Sequence, residues 1–234
     1  MFKLFPLSPQ QQRKSLGDQV YESIRKGIVS LHLEPGGMVY ENELAESLQI
    51  SRTPIREAIR TLVNEELLEV LPQRGTRIAK ISERKVNEAR FIREHLELGA
   101  FRMAARLWNE ELHLPIRQSA QRILEQQQAA AIAGDIDQFL QLDEEFHRAI
   151  MEIMGNATLL QVIYHMRGHL NRLRYLALKE LHHMDIIIEE HRDLFTAITQ
   201  GNEELAVKKL GQHLGKLDYE LPELRKAYPN YFLD

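Results

Sequence analysis

Ser51-Arg52-Thr53-Pro54-Ile55-Arg56-Glu57-Ala58-Ile59-Arg60 constrains this chain more than any other stretch, because as a helix it separates apolar from basic side chains. At about 100° per residue, Ile55, Ala58, Ile59 and Leu62 make one stripe, while Arg52, Arg56 and Arg60 cluster about a quarter-turn away. Ser51 or Thr53 supplies a cap for the helix start, and Pro54 fits the first turn, where its missing N–H costs little. The stripe docks the helix and leaves the arginines to reach outward. A planar guanidinium grips a phosphate, or the O6 and N7 edge of guanine, with two hydrogen bonds. A merely solvated amphipathic face has the same periodicity, so the neighbouring segments decide between the two.

Upstream, Leu16, Val20, Ile24, Ile28 and Leu31 recur at three- or four-residue spacing, which predicts a first helix ending before Glu34-Pro35-Gly36-Gly37. A short second helix runs through Glu43-Leu44-Ala45-Glu46-Ser47-Leu48, and the brief Gln49-Ile50 connection leaves room only for a tight helix-turn-helix. Downstream, Leu67-Leu68-Glu69-Val70-Leu71 and Thr76-Arg77-Ile78-Ala79 pair as a two-stranded wing across Pro72-Gln73-Arg74-Gly75. Arg74 and Arg77 then sit at the wing tip.

These residues resemble the N-terminal winged helix-turn-helix of the GntR family of bacterial transcription regulators, from roughly Gln19 to Ala79. The carriers are Leu33-Glu34-Pro35-Gly36, Glu43-Leu44-Ala45, the run Ser51 to Ala58, Leu62 and Arg74-Gly75. The resemblance implies that Arg52 and Arg56 contact bases or nearby phosphates, that Ser51 and Thr53 hold the DNA backbone, and that Gly75 lets the wing approach the minor groove. Asn42 departs from the pattern, since members often carry arginine there, and alters one DNA contact.

The 234 residues suffice for two domains, each with its own core, and 44% apolar composition excludes a wholly disordered chain. A formal net charge of −4 looks wrong for a DNA binder. Residues 1–80, however, hold 11 Lys+Arg against 10 Asp+Glu, whereas residues 81–234 hold 19 against 24, so the acidic excess lies outside the basic helix. Local placement of charge governs DNA affinity, and the small margin predicts modest non-specific binding with marked salt sensitivity. The absence of cysteine removes disulfides and thiolate metal sites and is compatible with a reducing cytoplasm, the expected location. Met1-Phe2-Lys3-Leu4-Phe5-Pro6-Leu7 reads as a loose arm, too short and broken for a signal sequence, and no apolar run approaches the roughly 20 residues that span a bilayer.

Beyond Ser82, a plausible cap, every long segment carries helical periodicity, which predicts an all-α bundle of six helices. They run from about Glu83 to Trp108, Leu114 to Ala133, then through Met154, to about Leu181, and on either side of Gly201-Asn202, the last ending before Pro222. The domains are thus residues 1–81 and 82–234, and the fold class is mainly α. Polar residues interrupt the inward stripes of this bundle. Asp143 and His147 share a row with Ile136, Leu140, Ile150 and Met154; His191 interrupts Ile187, Leu194 and Ile198; His213 interrupts Ala206, Leu210 and Leu217. A carboxylate in such a row requires a cation or several donors. An Asp/His pair four apart can also be a hydrogen-bonded structural pair, and single buried histidines are ordinary, so the stripes alone leave both readings open.

Asp143-Glu144-Glu145-Phe146-His147, Glu190-His191 and His213 resemble the ligand pattern of the FCD domain, the effector domain of FadR-like GntR regulators. Membership implies that Asp143, His147, His191 and His213 hold a divalent ion, commonly zinc or nickel, with room for water or an effector carboxylate. Imidazole ligands suit such metals better than magnesium. Arg93-Glu94-His95-Leu96-Glu97 matches an Arg-x-x-Leu-Glu pattern whose arginine points into the ligand cavity, so Arg93 is expected to clamp an organic acid. An exposed Arg93/Glu97 helix pair is the bland alternative. His165 and His169 form a competing pair, better read as surface or hydrogen-bonded residues, and Gln126-Gln127-Gln128-Ala129-Ala130-Ala131 reads as helix surface.

The combined expectation is a DNA-binding transcription regulator, acting as a repressor, whose helical domain senses a small carboxylate at a metal. One recognition helix covers a short half-site, so a homodimer on an inverted-repeat DNA operator is expected. The effector would shift the population toward a placement of the DNA-binding heads that fits the operator worse. A different class of function is a metal-dependent hydrolytic enzyme with a basic docking domain. Glu144, the nearest base, is turned roughly 100° from Asp143, and no H-E-x-x-H run, nucleophile elbow or glycine-rich phosphate loop is present, which argues against catalysis. A third reading keeps regulation and makes the metal purely structural.

Overall fold

The computed structural model describes residues 15–233, so the amino-terminal arm lies outside the described residues. The described residues fall into two compact units: those up to Val86 with Gly168–Leu173 and those from Leu224 onward, and Asn87–Arg167 with Arg174–Glu223.

In the first unit, α1 (Leu16–Val29) begins with a reciprocal cap: the Ser15 hydroxyl accepts from the Asp18 N–H at 3.1 Å, and the Asp18 carboxylate accepts from the Ser15 N–H at 3.2 Å. α2 (Glu41–Leu48) ends at Gln49, whose φ of 54° reverses the chain into α3 (Arg52–Asn64). The expected stripe is confirmed, with Ile55, Ala58, Ile59 and Leu62 buried against Val20, Ile24, Ile28 and Leu44. Ser51 is the cap residue of α3 by backbone conformation, yet its side chain makes no capping hydrogen bond, contrary to expectation. The residue is exposed.

The wing strands are β2 (Leu68–Leu71) and β3 (Gly75–Ile78), paired antiparallel with Val70 opposite Thr76. A third strand, β1 (Met38–Val39), pairs on the other side of β3, giving the order β1-β3-β2. Its two residues after Gly36-Gly37 are too few to show alternation, which is why the sequence suggested two strands. Gly75 has φ 104°, and a Cβ there would lie 3.4 Å from the Met38 side chain, so the turn requires glycine.

From α4 (Glu83–Leu107) onward the chain is helical, but the fourth and sixth expected helices are each divided. The second unit carries α5 (Leu114–Ala133), α6 (Ile136–Met151), α7 (Ala157–Met166), α9 (Met184–Thr199) and α10 (Glu203–Leu214). Arg167 separates α7 from α8 (Gly168–Leu181), and Gly215 with Lys216 separates α10 from α11 (Leu217–Ala227). Among the described residues, the chain from α4 to α11 thus forms eight α-helices where six were expected. Gly168 opens α8, where a Cβ would come within 2.9 Å of the Leu67 side chain. Pro222, expected to follow the last helix, lies inside α11. Gly134 ends α5 at φ 66° and Asp135 caps α6 at the Gln138 N–H, 2.9 Å away; Asn202 caps α10 in the same way. α5 packs on α6 and α9, and α9 on α10, which brings three ligand-bearing faces to one core.

Candidate metal centre and nucleic-acid interface

Asp143 and His147 project from α6, His191 from α9 and His213 from α10, all four buried. One ligand atom from each lies within 4.8 Å of all the others. The imidazole centroids are 5.3 Å apart for His147 and His191, 5.2 Å for His147 and His213, and 4.9 Å for His191 and His213. Phe146 stacks on His191 at 4.3 Å and closes one side.

Each histidine is held through Nδ1. His147 donates to Glu97 Oε2 at 2.8 Å, His191 to Gln127 Oε1 at 3.0 Å, and His213 to Glu190 Oε2 at 3.0 Å. An acceptor at Nδ1 fixes the proton there and turns the lone pair of Nε2 inward. His147 Nε2, His191 Nε2 and Asp143 Oδ1 are buried without a hydrogen-bond partner, a costly arrangement unless a cation takes their lone pairs. Three imidazoles and one carboxylate are a donor set that fits zinc or nickel.

The electrostatics agree. Burial pushes His191 well below the usual imidazole range, and burial likewise lowers His213, so both rings are neutral and able to ligate. Burial by itself would raise Asp143, but the Arg174 guanidinium holds it well below the usual carboxylate range. Glu97 is lowered in the same way, with burial overridden by Arg93 and His147.

Arg93 donates from Nε to Glu97 Oε1 at 2.7 Å, and both residues are buried. The Arg93/Glu97 helix pair is thus real but internal, and it continues through Glu97 to His147. A cavity of about 200 Å³ borders Arg93, Glu97, His147, Tyr164, Arg167 and Arg174; a smaller one, about 40 Å³, borders Asp143 and His213. Arg174, which ion-pairs with Asp143, escaped the sequence reading because nothing in Asn171-Arg172-Leu173-Arg174 marks which arginine faces the ligand cluster; Arg172 is buried as well. Gln127, read as helix surface, is fully buried. His169 is buried in the first unit, with Nε2 on the Glu66 carbonyl at 3.1 Å.

In the first unit, Asn42, Ser51, Arg52, Thr53, Arg56, Arg74 and Gly75 are exposed and Arg77 is partly so. Arg52 and Arg56 both reach Glu41, at 2.6 and 2.9 Å, while keeping side-chain exposures of 49% and 53%. Arg77 pairs with Glu69 at 2.6 Å. The guanidiniums are tethered at the surface and not enclosed.

Residues 16–78 match the model for bacterial regulatory proteins of the gntR family, and residues 88–216 match the FCD domain. The chain belongs to the gntR family, with an FCD domain. It is 31% identical over 213 residues to an HTH-type transcriptional regulator in an unstable DNA locus of Streptomyces ambofaciens, covering 91% of this chain and 88% of that one. It is 27% identical to the HTH-type transcriptional repressor RspR of Escherichia coli strain K12, covering 93% of each. The solved structure of E. coli McbR/YncC superposes with a TM-score of 0.76 at 25% identity, covering 92% of this chain and 99% of that one. This gntR-family chain is a transcriptional regulator with a helix-turn-helix and an FCD effector domain, not an enzyme. No helix among the described residues is long and apolar enough to cross a membrane.

Proposed function

We propose that this regulator is a repressor that reads an inverted-repeat operator as a homodimer and responds to a small organic acid bound beside a divalent metal. Residues 1–81 form the DNA-binding domain, with Arg52, Arg56, Arg74 and Arg77 as cationic contacts, Asn42, Ser51 and Thr53 as polar ones, and Gly75 shaping the wing. Residues 82–234 form the sensing domain. Asp143, His147, His191 and His213 would hold zinc or nickel, which supplies a Lewis-acid anchor for a carboxylate when bound. Arg93 supplies positive charge at the cavity wall, and Glu97, Gln127 and Glu190 orient the ligating imidazoles.

The observation that carries this reading is the set of buried ligand atoms without hydrogen-bond partners, Asp143 Oδ1, His147 Nε2 and His191 Nε2, in one cluster. The repressor relative supports the direction of control. A salt-controlled operator-binding assay, paired with metal analysis, separates the two halves of the claim. Arg56→Ala is expected to lose specific operator binding while retaining its metal; His191→Ala is expected to lose the metal. Full operator affinity in Arg56→Ala refutes the recognition-helix assignment, and full metal content in His191→Ala refutes the centre.

A further inference from the structure

The surroundings of the four ligands are not equivalent. Each histidine is backed by an oxygen acceptor, Glu97, Gln127 or Glu190, which strengthens an imidazole as a donor. Asp143 is backed by a cation: Arg174 bonds Oδ2, while Oδ1 faces His191 Nε2 at 3.6 Å. A guanidinium on a ligating carboxylate draws electron density from it and repels a divalent ion nearby. Arg174 therefore works against metal affinity, where its three counterparts work for it.

Its position indicates what it works for. Arg93 and Arg174 are the two residues that line both cavities flanking the cluster. Arg93 is engaged by Glu97, and the Arg174 side chain is 11% exposed, at the cavity edge. A guanidinium has five N–H donors in a planar fork and can serve two carboxylates at once.

We propose that Arg174 is a second anchor for the organic acid, holding the acid's carboxylate next to Asp143 so that metal and acid bind with positive coupling. This rests on the metal-and-acid reading above and adds the residue that links the two ligands. It implies opposite signs for one substitution. Arg174→Gln removes a cation beside the ion and an anchor for the acid, so it should tighten metal and weaken acid.

The test titrates nickel into wild type and Arg174→Gln by calorimetry after chelation, then titrates acetate and succinate into the nickel-loaded proteins by thermal shift. Nickel should bind the variant about fivefold tighter or more, and both acids should bind it at least about fivefold weaker. In wild type, succinate should tighten nickel binding, and in the variant that enhancement should vanish. Arg174→Lys keeps the charge without the fork, so it should retain wild-type nickel affinity and still lose acid affinity; it carries the test if the glutamine variant fails to fold. Unchanged acid affinity in the variants, or weaker binding of both ligands, overturns the assignment and makes Arg174 a structural counter-ion. Wild type that takes up no nickel, or answers neither acid, instead overturns the underlying metal-and-acid reading.

Discussion

Glu97 holds two neighbours at once: Oε1 takes the Arg93 Nε–H at 2.7 Å and Oε2 takes the His147 Nδ1–H at 2.8 Å. Replacing this carboxylate by an amide weakens the acceptor and offers His147 a competing donor. Glu97→Gln is therefore expected to lower metal affinity by about 10–100-fold, read by competition with a chromogenic chelator. Affinity equal to wild type would show that the carboxylate only neutralises Arg93. Single residues differ in how plainly the sequence announces them. Asp143, His147, His191 and His213 stand out because each breaks an apolar stripe, an anomaly visible along one helix. Gln127 and Arg174 break no local pattern; their importance arises from partners 64 and 31 positions away.

Elements were easiest to foresee where a cap and a period coincide. α6 has both, with Asp135 as its cap and Leu140, Asp143, His147 and Ile150 buried as expected, whereas α3 keeps its expected stripe without a side-chain cap from Ser51. The divisions at Arg167 and Gly215 were hidden because helical periodicity continues across them, and the tight space at Gly168 is set by Leu67, from a hundred residues upstream. β1 was hidden by brevity. The wing gives a direct test of an element's geometry, since Gly75 occupies a φ of 104° that β-branched residues avoid. Gly75→Val is expected to cost roughly 1–3 kcal/mol in thermal or chemical unfolding and to weaken operator binding as the wing distorts. A variant with unaltered stability would mean that the turn relaxes into another conformation.

For the whole chain, the buried ligand cluster makes ligand occupancy a stability term. An ion that binds only the folded chain, at about 100 times its dissociation constant, adds about 2.7 kcal/mol. Calorimetric scans with excess zinc or nickel should show a higher unfolding midpoint than scans in chelator, and His191→Ala should show no such difference. Coincident midpoints for the wild type would deny the cluster a ligating role. The expectation of two domains came from the charge count and the change from wing to continuous helix, both properties of long segments; the discontinuous make-up of the two compact units, which depends on contacts distant in sequence, left no such trace.

Glu41 has one further effect. It grips Arg52 and Arg56 together at the surface, so any duplex that recruits these side chains must outcompete a resident carboxylate. On the proposed reading, a poorly matched sequence offers little beyond its backbone charge and is released quickly, whereas a matched one offers base edges as well. On that reading the acidic residue would shorten casual encounters during genomic search.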